Sequence, residues 1–143
     1  MKQFNITQAE HAIIKSDLSR AKRYLHFLEV ERAKPESENK GRASVREALS
    51  VAAVIAYSRS FTSNYRKLGG KKSSWIPLAL IQDLPADMQK LHKQIKDIRD
   101  RVWAHTDENL FRGADLIIPL KRAVIPAFEL LIEEVVKRLK VVP

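Results

Sequence analysis

The chain reads as an all-α protein: a bundle of four main helices plus one short helix, forming a single domain over residues 1–143. Three observations predict this. Apolar residues recur three and four positions apart, with charged residues between them. Capping-box motifs and Gly/Pro/Asn-rich breaks divide these stretches into helix-sized pieces. No strand-like alternation or hairpin signal is apparent. At 143 residues the chain is long enough to bury a core of its own.

The first helix opens on Thr7-Gln-Ala-Glu10, in which a hydroxyl and a carboxylate three residues apart satisfy each other's backbone donors. Ile13, Ile14, Leu18, Ala21, Leu25, Leu28 and Ala33 then keep helical spacing, which predicts a helix from about residue 8 to 33. The polar run Lys34-Pro-Glu-Ser-Glu-Asn-Lys-Gly41 stops it. Ser44-Val-Arg-Glu47 is a second capping box. It opens ALSVAAVIAYSRSF, whose apolar residues nearly encircle the axis and predict the central, most buried helix, ended by Gly69-Gly70. A short apolar piece from Trp75 to Leu80 has room for one or two turns. Pro85 suits the first position of the next helix, where Met88, Leu91, Ile95, Ile98 and Val102 mark one face. A last helix is predicted over about 119–140, with Pro126 kinking it or splitting off its first turn.

Composition narrows the functional classes. There is no cysteine, so disulfides and thiolate chemistry are excluded. The N-terminus lacks the apolar run of a signal peptide, and the longest mostly apolar stretch, residues 48–57, is about half a membrane span. These features predict a cytoplasmic protein with no membrane partner. A net charge of +9 favours a polyanionic partner. Arg59, Arg66, Lys67, Lys71 and Lys72 follow one another with no acidic residue among them, a local excess suited either to phosphates or to a solvated basic loop.

The most informative stretch is HKQIKDIRDRVWAHTDEN, residues 92–109, where the end of a helix collects a guanidinium, a carboxylate and an imidazole. Arg99 and Asp100 are followed by four residues and then His105. This pattern, the wider phrase LHKQIKDIRDRVWAHTD and the earlier AVIAYSRSF (residues 53–61) together resemble the HEPN superfamily, in particular its abortive-infection-type group. The motif resemblance covers about a fifth of the chain, and the helical layout covers most of it.

The resemblance implies an up-and-down HEPN bundle and a metal-independent endoribonuclease without cofactors. It further implies a homodimer acting on RNA as a toxin or antiviral (abortive-infection or toxin–antitoxin) effector, with a nucleotidyltransferase-like antitoxin as a partner. Carried over residue by residue, Arg99 and His105 are the catalytic pair and Asp100 the polar neighbour. The alternative is a catalytically inactive HEPN-fold module that binds nucleic acid, a nucleotide or a protein partner, since fold alone does not fix function.

The residue types suit the chemistry independently of any family. Cleaving RNA through its own 2′-hydroxyl needs one proton removed and one delivered, and an imidazole titrating near neutrality does either. A permanently charged, forked guanidinium suits the phosphate as it gains negative charge. A separation of six residues turns a regular helix by about 600°, which leaves Arg99 and His105 about 120° and about 9 Å apart. They share a site only if the helix loosens or if two subunits contribute. Asp97, Arg101 and His105, four apart, do align. Read plainly, that row is a surface ion pair followed by a helix C-terminal histidine.

Arg101, Tyr57, Arg59, Arg66 and Lys67 complete the set as candidate substrate contacts, although Tyr57 and Arg59 equally suit packing and snorkelling. Trp103 reads as interface or core filler and Asp107 as a cap. His11, His26 and His92 have no partners at ligand spacing and read as surface or boundary residues, which leaves no metal site.

Overall fold

The computed structural model describes residues 1–34, 43–62, 64–68, 71–104 and 119–143. In chain order they form β1 (Phe4–Thr7), α1 (Gln8–Ala33), α2 (Ala43–Arg59), β2 (Asn64–Leu68), β3 (Lys71–Ser73), α3 (Leu78–Gln82), α4 (Ala86–Ala104), α5 (Val124–Lys137) and β4 (Leu139–Val142). The protein is mostly helical, and its four long helices form the bundle expected from the pattern of apolar residues.

Long-range contacts fix the direction of each helix. Arg32 lies near Arg46, and Asp17 lies near Arg59, so α1 and α2 run antiparallel. Tyr57 touches Phe128, and Ser50 bonds the backbone at Leu120, so the start of α5 lies beside the first half of α2. Arg138, just past α5, reaches Asp83, just before α4, which makes those two antiparallel. The result is an up-down-up-down bundle. The C-terminal ends of α1 and α4 meet the N-terminal ends of α2 and α5 at one end. The strands β1 and β4, α3 and Arg138 lie at the other.

Both halves of the first capping box are made: Glu10 N donates to Thr7 Oγ1 at 3.2 Å, and Thr7 N to Glu10 Oε2 at 3.0 Å. The helix behind it buries Ile14, Leu18, Ala21, Leu25 and Leu28, a three-four repeat facing α2 and α5. In α2, Ser50, Ala53, Val54, Tyr57 and Ser58 are fully buried. Four of these five side chains are small, which lets neighbouring helices approach closely and makes α2 central. Tyr57, Phe128, Leu25, Leu28, Ile95 and Leu131 fill the middle, each worth about 1.5–3 kcal/mol of burial.

The structure corrects the sequence reading in several places. Strands are present: β1 pairs with β4 in parallel, Phe4 opposite Leu139, and β2 pairs with β3 antiparallel, Leu68 opposite Lys71. β2 and β3 are separated only by residues 69 and 70, and Gly-Gly between two short segments is itself a hairpin signal. Consequently α2 ends at Arg59 rather than at the glycines, and Ser44 falls inside its first turn rather than at the cap.

The last helix runs over Val124–Lys137, shorter at both ends than expected. It starts just ahead of Pro126, so the missing proline donor falls in the first turn, where it costs nothing and causes no kink. At its far end Arg138 turns towards Asp83, and Leu139–Val142 pairs with β1 instead of continuing the helix. No helix among the described residues is long and apolar enough to cross a membrane.

Candidate functional site

The last turns of α4 carry Asp97, Arg99, Asp100 and Arg101. Ile95 and Ile98 anchor this stretch to the core, which leaves Asp97, Asp100 and Arg101 exposed and Arg99 partly so. Arg99 Nη1 donates to Asp100 Oδ1 at 3.0 Å, and the Arg99 side chain is 28% exposed against 61% for Asp100. An ion pair this wet contributes at most about 1 kcal/mol, so its consequence is mainly positional: it restrains the guanidinium at the surface. His105 and Asp107 lie outside the described residues, as do the side chains of Trp103, Arg66 and Lys67.

The remaining candidates do not gather around Arg99. Tyr57 is a core residue: it is fully buried, and its hydroxyl lies 2.7 Å from His92 Nδ1. It packs edge-on against Phe128 and tilted against Phe61, and so has no surface to offer a substrate. Its burial pushes the phenol well above the ordinary tyrosine range. His92, read from sequence as a surface or boundary residue, is buried too. Desolvation, with the Lys96 charge adding to it, lowers its pKa to about 4, so the imidazole is neutral at physiological pH.

Tyr57 and His92 mark one level of the antiparallel α2–α4 pair. Arg59 lies about 3 Å beyond that level in one direction and Arg99 about 10 Å in the other, so roughly 13 Å of helix axis separates them. Arg59 instead lies near the buried Asp17. That carboxyl is raised by desolvation, against the lowering charges of Arg59 and Arg20.

Three arginines that the sequence reading passed over share the bundle end to which α4 runs. Arg32, in the last turn of α1, donates through Nη2 to the carbonyl of Leu120. Arg122, just ahead of α5, donates through Nη2 to the carbonyl of Arg32 at 2.8 Å. Ser50 Oγ donates to the Arg46 carbonyl at 2.8 Å and accepts from Leu120 N at 3.0 Å, so α1, α2 and the approach to α5 are tied together. Burial, with the nearby Arg46 and Arg122 charges adding to it, holds Arg32 below the ordinary arginine range. Only the spatial meeting of three separate segments reveals this cluster. In sequence, Arg32 and Arg122 look like surface charge, and Arg46 sits unremarked inside a capping-box motif.

Elsewhere, an open cleft of about 390 Å³ between α4 and α5 is lined by Met88, Leu91, Val124 and Leu130 among others. A smaller one of about 200 Å³ lies beside Phe61, Ile76, His92 and Lys96. No group of three or more His, Asp or Glu among the described residues is arranged to hold a metal ion. No protein-family model matches this chain, and no curated protein and no solved structure matches it either.

Proposed function

We propose that this protein is a metal-independent endoribonuclease of the HEPN type, acting as a homodimer in a toxin or antiviral system. The observation that carries the reading is the phrase RDRVWAHTD, whose Arg99, Asp100 and Arg101 stand in the last turns of the third long helix of an up-down-up-down bundle, with Arg99 restrained at the surface by its aspartate neighbour. In this reading Arg99 of each subunit holds the scissile phosphate and stabilises the charge that grows on it. His105 of one subunit takes the proton of the ribose 2′-hydroxyl as that oxygen bonds to phosphorus. His105 of the other, protonated at the outset, gives its proton to the departing 5′-oxygen as the P–O5′ bond breaks. The products are a 2′,3′-cyclic phosphate and a 5′-hydroxyl. Asp100 is a positioning residue, and Arg101 an additional phosphate contact on the same exposed turn.

The decisive experiment is RNA cleavage by the purified protein in EDTA. Activity is expected to persist in the chelator and to fall by about 10²–10⁴-fold in His105→Ala and in Arg99→Ala. Cleavage that survives His105→Ala, or a strictly monomeric active protein, overturns the assignment. Salt-dependent RNA binding without any cleavage moves the reading to a catalytically inactive nucleic-acid-binding module.

A further inference from the structure

We propose that Arg32, Arg46 and Arg122 form a binding site for a phosphate group, at the open cleft between the end of α1 and the start of α5. That cleft, about 300 Å³, is lined by Arg32 and Arg122 together with Ile125 and Pro126. Arg32 and Arg122 line it, the charge of Arg46 on α2 bears on Arg32 from beside it, and no ion pair joins any of the three to a carboxylate among the described residues. Among the described residues, Arg32 and Arg122 are answered by carbonyl oxygens. The Nε atoms of Arg32 and Arg46 are buried without a hydrogen-bond partner, so the cluster has more donor capacity than the protein's own acceptors use.

Proteins seldom gather like charges without an answering one, because each guanidinium raises the cost of its neighbours. Burial first, and then the charges of Arg46 and Arg122, push Arg32 below its usual range. A phosphate group answers all three at once: it has up to two negative charges and several oxygens, and the forked guanidinium is shaped for two of them. The two carbonyl hydrogen bonds fix the arginine planes beforehand, so little side-chain freedom is lost on binding.

Glu29 also lines the cleft, with its carboxylate hydrogen-bonded to Glu129. Glu129 on α5 is held above the usual carboxylate range by burial and by the charge and hydrogen bond of Glu29. The plain alternative, in which Arg32 and Arg122 merely neutralise the negative end of α1, accounts for those two residues but leaves Arg46 and the unused Nε donors unexplained. The site does not depend on the nuclease reading, because it contains neither Arg99 nor His105.

The test compares thermal unfolding in sodium phosphate and in sodium chloride at matched ionic strength and pH, together with calorimetric titration of inorganic phosphate and of a short single-stranded RNA. Phosphate is expected to raise Tm relative to chloride. Arg122→Gln and Arg46→Gln are each expected to weaken phosphate binding about tenfold or more. Lys140→Gln, an exposed substitution at the other end of the molecule with the same change in net charge, leaves it unaltered.

If RNA binding falls in parallel in the two arginine variants, the group taken is a backbone phosphodiester. If RNA binding is untouched while phosphate binding is lost, it is a free phosphate. Equal Tm in phosphate and chloride, or a phosphate response that survives Arg122→Gln, overturns the site. So does an equal loss in Lys140→Gln, which would leave net charge as the whole effect. Arg122 is exposed, so its variant keeps the test valid even if Arg46→Gln impairs folding.

Discussion

The two ends of the bundle treat arginine in opposite ways. At the strand end, Arg138 is buried and fully answered: Nε donates to Asp83 Oδ2 at 3.2 Å, and Nη1 donates to the Glu134 carboxylate. Its Nη2 reaches the Asp83 carbonyl, while its own carbonyl accepts from Phe4 N at 2.7 Å. Two carboxylates on its side chain and the β1 backbone on its carbonyl thus meet on one residue, which pins α5, the turn before α4 and the N-terminus together. At the opposite end, Arg32, Arg46 and Arg122 form no ion pair with a carboxylate among the described residues, and the charges of Arg46 and Arg122 bear on Arg32. One arginine is ion-paired twice; the other three have no ion pair among the described residues. The first arrangement is what stability selects, and the second is what a site for an anion needs.

Breaking the balanced end should be the costlier operation. Arg138→Met keeps most of the side-chain stem but leaves Asp83 and Glu134 without the cation that both contact. Arg138 is buried but both carboxylates keep contact with water, so the loss should be about 1–3 kcal/mol, seen as a lower urea midpoint with an unchanged m-value. A loss below about 1 kcal/mol would mean that Arg138 holds nothing together and that the contrast between the ends is false.

Midway between the ends, Tyr57 and His92 form a buried pair that is neutral, which separates burial from charge. The His92 pKa lies at about 4 in the folded protein and at 6.5 in the unfolded chain. Between those values the unfolded chain binds the extra proton, so stability is complete above pH 6.5 and is lost as pH falls towards 4. The full span amounts to at most about 3 kcal/mol, trimmed by whatever hydration the ring retains. In His92→Gln that part of the pH dependence should vanish, and the difference between the two stability–pH curves should be flat above pH 7. Curves that stay parallel through pH 4–6.5 would show that His92 titrates normally.

The sequence carried the long-period features well. Thr7 and Glu10 announce α1 because a capping box is local, and the Leu18–Leu25–Leu28 spacing announces its buried face because helical periodicity repeats. The short-period features were faint. Phe4 and Ile6 alternate as a strand should, but four residues are too few to separate from chance. Leu139–Val142 reads as helix because only Arg138, turning towards a distant Asp83, ends α5. The glycine pair at 69–70 suits a hairpin turn as well as a helix stop, and only the pairing of the flanking strands decides between them. Of the candidate site, Arg99 and Asp100 rest on their motif alone, and the fold adds that they pair at the surface of α4. The burial of Tyr57 is not legible, because neither its spacing nor its polarity reveals that its hydroxyl already has a partner in His92. Arg32, Arg46 and Arg122 were not legible at all: they are 14 and 76 positions apart along the chain, and proximity across a bundle end leaves no trace in local spacing.

The smallest effect expected is also the most discriminating. Arg122→Gln removes one exposed donor from the Arg32 carbonyl, a loss, and one positive charge from beside Arg32, a gain. Each is worth a few tenths of a kcal/mol at an exposed position, so the net change in stability at physiological salt should stay within about 0.5 kcal/mol. Salt separates the two contributions, because screening weakens charge repulsion but not the hydrogen bond. At low ionic strength, where the Debye length reaches about 30 Å, repulsion among the three arginines is largest, and the variant should then be the more stable protein. As chloride is raised the wild type should gain more than the variant, and the two stability curves should converge or cross. Arg138→Gln run alongside should show no such crossing, since its charge is attracted by its surroundings and screening can only weaken it. A wild type that is the more stable at every salt concentration would mean that the arginine cluster is not under electrostatic strain, and the distinction between the two ends of the bundle would fall.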